Sequence, residues 1–284
     1  MGFPVAPARD SAGVGWADGR TVGHIGATAG PYAGPPGRSP SREQGSRPTE
    51  RRDMAKILFV VTGSDHWTLA DGTVHPTGFW AEEVIAPYER FRAAGHEITV
   101  ATPGGVVPTV DRGSLAPEFN DGQENADKMA AAVAGMAELG HPLKLEDVDP
   151  ADYAAVFYPG GHGPMEDLAV NADSGRLLTR ALDSGMPLGI VCHAPAAVLA
   201  AKKDDGTHAF SGYRLTGFTN TEESQAGFAD KAKWLLQDRL VEIGTDFQEG
   251  EPWAPHVVVD RNLVTGQNPA SSGPLADELL KRIG

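Results

Sequence analysis

The chain has one cysteine in 284 residues. No internal disulfide can form and no multi-cysteine metal site can be built, so the sequence reads as cytoplasmic, or at least independent of an oxidising compartment. Basic charge is also scarce: 24 Lys and Arg face 38 Asp and Glu, giving a formal net charge of -14 and a pI near 5.0. That balance argues against the basic face a nucleic-acid-binding protein needs. No apolar run approaches the roughly 18 residues of a membrane span, and residues 1–9 lack the basic start and apolar stretch of a secretory signal. A His-Glu-x-x-His pair is missing, as is a Gly-rich loop ending in Lys-Ser or Lys-Thr; both absences argue against familiar zinc and phosphate sites. His66, His75, His162, His193 and His256 could form a metal site only if the fold gathered them, and no metal or cofactor is expected.

Composition divides the chain. Residues 1–53 hold 10 Gly, 7 Pro and seven Arg but no Lys, and only five residues from Leu, Ile, Val and Phe. So little apolar surface cannot offset the entropy of ordering, and the segment is expected to be a disordered leader or a mis-assigned start. Met54 then opens an ordinary first core strand, Ala55-Lys56-Ile57-Leu58-Phe59-Val60-Val61. Residues 54–284 carry 17 basic and 33 acidic side chains, and their length suits one domain with a substantial core.

In that domain, short runs rich in Val, Ile, Phe and Tyr alternate with helical patterns. Strands are expected at 57–62, 97–102, 153–158, 187–191 and 256–264, and helices at 79–94, 125–138, 174–184, 194–202, 222–242 and 271–283. The alternation implies an α/β fold, a mostly parallel sheet with helices on both faces. Sites in such sheets collect where loops leave the carboxyl ends of strands.

The lone cysteine stands at such an end, in Gly189-Ile190-Val191-Cys192-His193-Ala194-Pro195. A strand that stops at a small nucleophile and turns into a helix presents that side chain beside backbone N–H donors. The competing reading is a small buried hydrophobe, the usual fate of a free cysteine. Val156-Phe157-Tyr158-Pro159-Gly160-Gly161-His162-Gly163 is another strand exit, whose glycines allow N–H groups to face an oxyanion. In Thr77-Gly78-Phe79-Trp80-Ala81-Glu82-Glu83-Val84-Ile85, Glu83 sits among apolar residues and Glu82 is the better candidate for the solvent face. Leu215-Thr216-Gly217-Phe218-Thr219-Asn220-Thr221-Glu222-Glu223 ends a strand at a plausible N-cap, and its acidic pair is equally consistent with first-turn carboxylates on a helix dipole.

Together with Leu263-Val264-Thr265-Gly266-Gln267-Asn268-Pro269, these segments resemble the ThiJ/PfpI superfamily, which has a flavodoxin-like, class I glutamine-amidotransferase-like fold with a three-layer sandwich. The match is nearest the branch of heat-shock chaperones and glutathione-independent glyoxalase III enzymes. The resemblance covers residues 54–284 and implies that Cys192 is the nucleophile, Glu83 its carboxyl partner, His193 the adjacent acid/base and Glu223 the orienting third member, with Glu222 as the alternative. Asn220 stands where some relatives carry an acid. The resemblance further implies an oxyanion hole from backbone N–H groups near Gly161 and His193, a small 2-oxoaldehyde substrate such as methylglyoxal, a 2-hydroxy acid product (D-lactate), a homodimer, and unfolded protein clients in the chaperone members.

A helix N-terminus and a neighbouring imidazolium are expected to lower the Cys192 pKa, and partial desolvation to raise that of Glu83. Glutaminase chemistry would need a late His-x-Glu pair, and none follows Cys192. Protein deglycase or peptidase action would use the same thiol. A holdase chaperone would instead need an exposed apolar patch, and a redox sensor only an oxidisable thiolate.

Overall fold

Four-residue stretches buried at every position make the middle of the sheet, which requires cover on both faces. The computed structural model describes residues 54–283, so the leader expected at 1–53 lies outside them. In chain order the first half comprises β1 Lys56–Val60, β2 His66–Thr68, β3 Val74–Pro76, α1 Ala81–Ala93, β4 Glu97–Thr102, α2 Gln123–Gly135 and β5 Leu143–Lys144. The second half comprises β6 Ala155–Tyr158, α3 Gly163–Glu166, α4 Ala172–Asp183, β7 Leu188–Val191, β8 Arg214–Leu215, α5 Asn220–Gln225, α6 Leu236–Glu242, β9 Asp246–Phe247, β10 Val257–Asp260, β11 Leu263–Gly266 and α7 Ser272–Leu280.

The seven-stranded sheet has the order β10-β11-β7-β6-β1-β4-β5, and only β10 runs antiparallel to its neighbour. From β1 the chain winds outward through β4 and β5, then returns to lay β6 on the other side of β1. The reversal between β1 and β6 is the topological switch point at which doubly wound sheets open a crevice. The alternation of elements is realised as a mostly parallel α/β sheet, in the flavodoxin-like sandwich that the family resemblance implies. Among the described residues, no helix is long and apolar enough to cross a membrane.

Three expected elements differ, each for a local reason. The helix expected at 194–202 is a 3-10 segment, Ala194–Ala200, with Pro195 in its first turn; proline lacks the N–H that α-helical pairing uses. The helix expected at 222–242 is α5 and α6, separated where Gly227 takes φ = 79° after the α5 C-cap. The strand expected at 256–264 is the β10–β11 hairpin, turned at Arg261 with φ = 57°. The β2–β3 hairpin has no counterpart among the expected strands, because three-residue strands carry too little periodicity to read.

Gly189 shows how the core sets the position of β7. A Cβ there would stand 3.0 Å from Leu275 Cδ2 and Phe157 Cδ2 and 3.1 Å from Leu279 Cδ2. The bare backbone lets α7 and the Phe157 ring press directly on the strand that carries Cys192. Gly189→Val is expected to destabilise the protein by about 1–3 kcal/mol through overpacking, read as a lower denaturation midpoint at unchanged m-value.

Candidate active site

The backbone at Cys192 is the starting point. Immediately after β7, Cys192 adopts φ = 60°, a left-handed conformation that costs a residue bearing a Cβ about 1–2 kcal/mol. Two hydrogen bonds hold it there: Cys192 N–H donates to the Gly266 carbonyl at 2.9 Å, and Phe218 N–H donates to the Cys192 carbonyl at 2.8 Å. The end of β11 and the segment leading into α5 thereby clamp the turn. The result is a sharp elbow with the thiol at its tip, 3 % exposed.

The β6 exit lies against this elbow with no side chain between. A Cβ on Gly160 would sit 2.8 Å from His193 N and from Glu83 Oε2. Gly161 takes φ = 94°, and a Cβ there would reach 2.4 Å from the Gly78 carbonyl oxygen. Both positions therefore demand glycine. The contact also locates α1: Trp80 N–H donates to the Gly160 carbonyl at 3.0 Å, while Gly160 N–H donates to Glu83 Oε2 at 2.7 Å. The approach to α1 is fixed from outside by Phe79 N–H donating to the Thr109 carbonyl and by Thr77 Oγ1 donating to Asp111.

Glu83 is fully buried in the first turn of α1, beside Val84 and Ile85. Its Oε1 lacks a hydrogen-bond partner of ordinary geometry, and the neighbouring group with which the carboxyl interacts is the Cys192 thiol. Burial raises the Glu83 pKa from 4.5 to about 8, against the opposing pull of Cys192 and the Gly160 N–H. Burial also pushes the Cys192 thiol up, a carboxylate at Glu83 would push it further, and the Gly161 N–H acts in the opposite direction. The two groups cannot both ionise cheaply, so at neutral pH the pair keeps its protons.

On the thiol's other side, His193 Nδ1 lies 3.3 Å from Sγ, and His193 Nε2 lies 2.7 Å from Glu223 Oε2. Burial would raise the Glu223 carboxyl, but His193 and His162 outweigh it and hold the group well below the usual carboxylate range. An ionised carboxylate only accepts, so Nε2 of His193 carries the proton and donates it. His193 is itself kept neutral, first by burial and then by His162 nearby. Nδ1 therefore bears a lone pair facing the thiol. This corrects the expected imidazolium: the histidine is poised to receive a proton from Cys192, and the thiol is not lowered in advance.

Glu83, Cys192, His193, Glu223 and Gly161 thus come together. Glu222 turns away: it closes a capping box with Thr219 and accepts hydrogen bonds from Trp253 N–H and Asn268 Nδ2, so it ties α5 to the segments before β10 and after β11. Asn220 bonds outward, to Asp238 and Gln237. Of the histidines considered as ligands, His66 pairs with Asp65, His75 rests on the Phe228 ring, and His256 is separate from the site. His162 does enter, donating to Glu223 Oε1 at 3.0 Å. Its place in Gly-Gly-His-Gly at a strand exit signalled proximity, whereas nothing in the sequence signalled Trp67, which stacks on its ring at 4.5 Å. A separate cleft of about 310 Å³ is lined by Phe79, Val110, Met136 and Leu139 but by none of the groups around Cys192.

Residues 74–282 match the DJ-1/PfpI family. Glyoxalase 3 of Candida albicans is 30 % identical over 234 residues, covering 80 % of this chain and 98 % of that protein. The crystal structure of glyoxalase III from the same organism superposes with a TM-score of 0.71 over 81 % of this chain and 98 % of that one. Rapid Encystment Protein of Francisella tularensis, 27 % identical, gives a TM-score of 0.72 over 81 % of this chain and all of that one. Protein/nucleic acid deglycase HchA of Staphylococcus aureus is 25 % identical over 237 residues, 80 % of this chain and 81 % of that protein.

Burying Glu83 predicts a pH signature. Below 4.5 the carboxyl is protonated whether the chain is folded or not. From there up to about 8 the unfolded chain releases a proton that the folded one retains, so rising pH favours unfolding. Glu83→Gln removes this penalty. The melting temperature of Glu83→Gln minus that of the unsubstituted protein is therefore expected to increase steadily between pH 5 and pH 8; a flat difference would show that Glu83 titrates normally.

Proposed function

The chain belongs to the DJ-1/PfpI family, and from that premise we propose that it is an enzyme converting methylglyoxal-type 2-oxoaldehydes to 2-hydroxy acids without glutathione, through a hemithioacetal on Cys192. The observation that carries the reading is one buried thiol served by two proton carriers, a protonated carboxyl at Glu83 and a lone pair on His193 Nδ1. The hydrogen shift between the two carbonyl carbons, from hemithioacetal to thioester, uses an acid and a base placed in this way.

In the first step Sγ adds to the aldehyde carbon, its proton passes to His193 Nδ1, and Glu83 protonates the aldehyde oxygen. The N–H of Gly161, which already faces sulfur, and that of His193 would support the developing oxyanion. Glu83, now a carboxylate, removes the hydrogen from the former aldehyde carbon while His193 returns its proton to the neighbouring oxygen, giving an enediol. Glu83 then delivers its proton to the second carbon and takes one from the first oxygen, leaving a thioester. Water, with His193 as base, releases the 2-hydroxy acid and restores the thiol. Every proton borrowed is returned, and the sum is 2-oxoaldehyde plus water to 2-hydroxy acid. Glu223 takes no proton; it fixes the His193 tautomer so that Nδ1 faces sulfur.

Near-complete burial of Cys192 and His193, 3 % and 2 % exposed, favours a small free aldehyde over an adduct on a protein, and so weighs against the deglycase and peptidase alternatives. Incubated with methylglyoxal and no glutathione, the protein is expected to form D-lactate. Cys192→Ala should abolish turnover, and Glu83→Gln and Glu223→Gln should each lower it by roughly 100-fold or more. Unchanged turnover in Cys192→Ala would exclude the mechanism, and faster consumption of a methylglyoxal adduct on a peptide than of the free aldehyde would favour a deglycase.

A further inference from the structure

Glu223 is shared by two histidines, and the proposed reaction uses only one of them. His162 Nε2 and His193 Nε2 point at opposite oxygens of the carboxylate, at 3.0 Å and 2.7 Å, and the ligand atoms of all three residues lie within 4.8 Å of one another. We propose that His162, His193 and Glu223 form a binding site for a zinc-class divalent ion, and that occupancy of this site reversibly switches the cysteine off.

The donor set selects the ion. Two imidazole nitrogens and one carboxylate oxygen, with a fourth position left for water, suit tetrahedral Zn²⁺; Ca²⁺ and Mg²⁺ require six or more oxygen ligands. Bonds of about 2.0–2.1 Å place tetrahedral ligands roughly 3.3 Å apart, and every pair of ligand atoms here already lies within 4.8 Å, so closing on an ion takes shifts of at most about 1.5 Å. The rings are already held. Trp67 stacks on His162 at 4.5 Å, Phe228 lies 5.2 Å from it, and Phe218 covers His193 at 4.3 Å. His162 is 12 % exposed against 2 % for His193 and 4 % for Glu223, so it is the edge of the cluster open to an arriving ion.

The switch follows from imidazole chemistry. A neutral histidine has one N–H, and a metal on Nε2 obliges that proton to sit on Nδ1. Nδ1 of His193 faces Cys192 Sγ at 3.3 Å, so metal binding turns the thiol's proton acceptor into a donor. The sulfur then serves as the outer partner that metal-bound histidines commonly engage. No net proton is gained or lost; each imidazole moves its proton from one nitrogen to the other.

Zinc binding does not depend on the proposed reaction, whereas its effect on turnover rests on that reading. The metal-stripped full chain is to be titrated with ZnCl₂ by calorimetry and with Co²⁺ by visible absorption. One tight equivalent is expected in the unsubstituted protein and in Cys192→Ala. His162→Ala, His162→Gln and Glu223→Gln should each lose affinity by more than the roughly 10- to 100-fold that loss of an outer-shell partner costs. Zinc should raise the melting temperature of the first two proteins and leave that of the ligand variants unchanged. Equal binding by the ligand variants, or loss of binding in Cys192→Ala, would overturn the site. If the enzyme turns over methylglyoxal, one equivalent of zinc should stop it and a chelator restore it; zinc bound with turnover intact would overturn the switch.

Discussion

The site depends on one constrained residue, Cys192, held at φ = 60° between the end of β11 and the segment entering α5. A cysteine in ordinary extended backbone would continue β7 and send its thiol into one face of the sheet. Forced left-handed, it leaves the strand plane at the carboxyl edge, where the β1–β6 reversal opens the sheet. The strain is small beside the burial energy of the strands that impose it, which is why the surrounding core can sustain it. The bare backbone at Gly160 and Gly161 answers the same demand from the other side: only with no side chain there can the β6 exit and α1 close upon the elbow.

Burial then decides the electrostatics. Three ionisable groups around sulfur are almost completely enclosed, yet they are driven in opposite directions. Glu83 has one backbone donor and apolar neighbours, so desolvation wins and the proton stays. Glu223 has two imidazole donors, so the same desolvation loses and the charge stays. Carboxyls with opposed protonation states, Glu83 beside the thiol and Glu223 behind His193, set an acid and a base on either side of it. A fully solvated cluster would have held both acids as carboxylates at neutral pH and offered no donor.

Much of this was legible in the chain. The α/β alternation, the elbow at Cys192 and the abnormal apolar company of Glu83 are local patterns, and local patterns survive in sequence. The choice between Glu222 and Glu223 was not legible, because adjacent residues on a short helix differ by about 100° in direction, and which direction faces the site is set by Thr219, Trp253 and Asn268 around Glu222. The charge of His193 was also hidden. Its neighbour in sequence suggested an imidazolium beside a thiolate, whereas enclosure together with His162 keeps it neutral. His162 could be placed at a strand exit but not on Glu223, since that contact spans 61 positions and passes over α3, α4, β7 and β8.

A neutral histidine changes what the thiol can do before substrate arrives. With an imidazolium alongside, sulfur would rest as a thiolate, open to any oxidant that reached it. With Nδ1 unprotonated and Glu83 protonated, sulfur rests as a thiol, and in the proposed reaction it would become nucleophilic only as its proton moves to His193. Activation would thereby be coupled to addition, with the carbonyl oxygen that accepts the Glu83 proton making both transfers favourable together. The same coupling explains why the site can be this dry: no charge is created on sulfur in isolation, so its burial has no large standing penalty. Enclosure, which pushes the thiol pKa up, is thus compatible with the proposed chemistry, which moves protons in pairs.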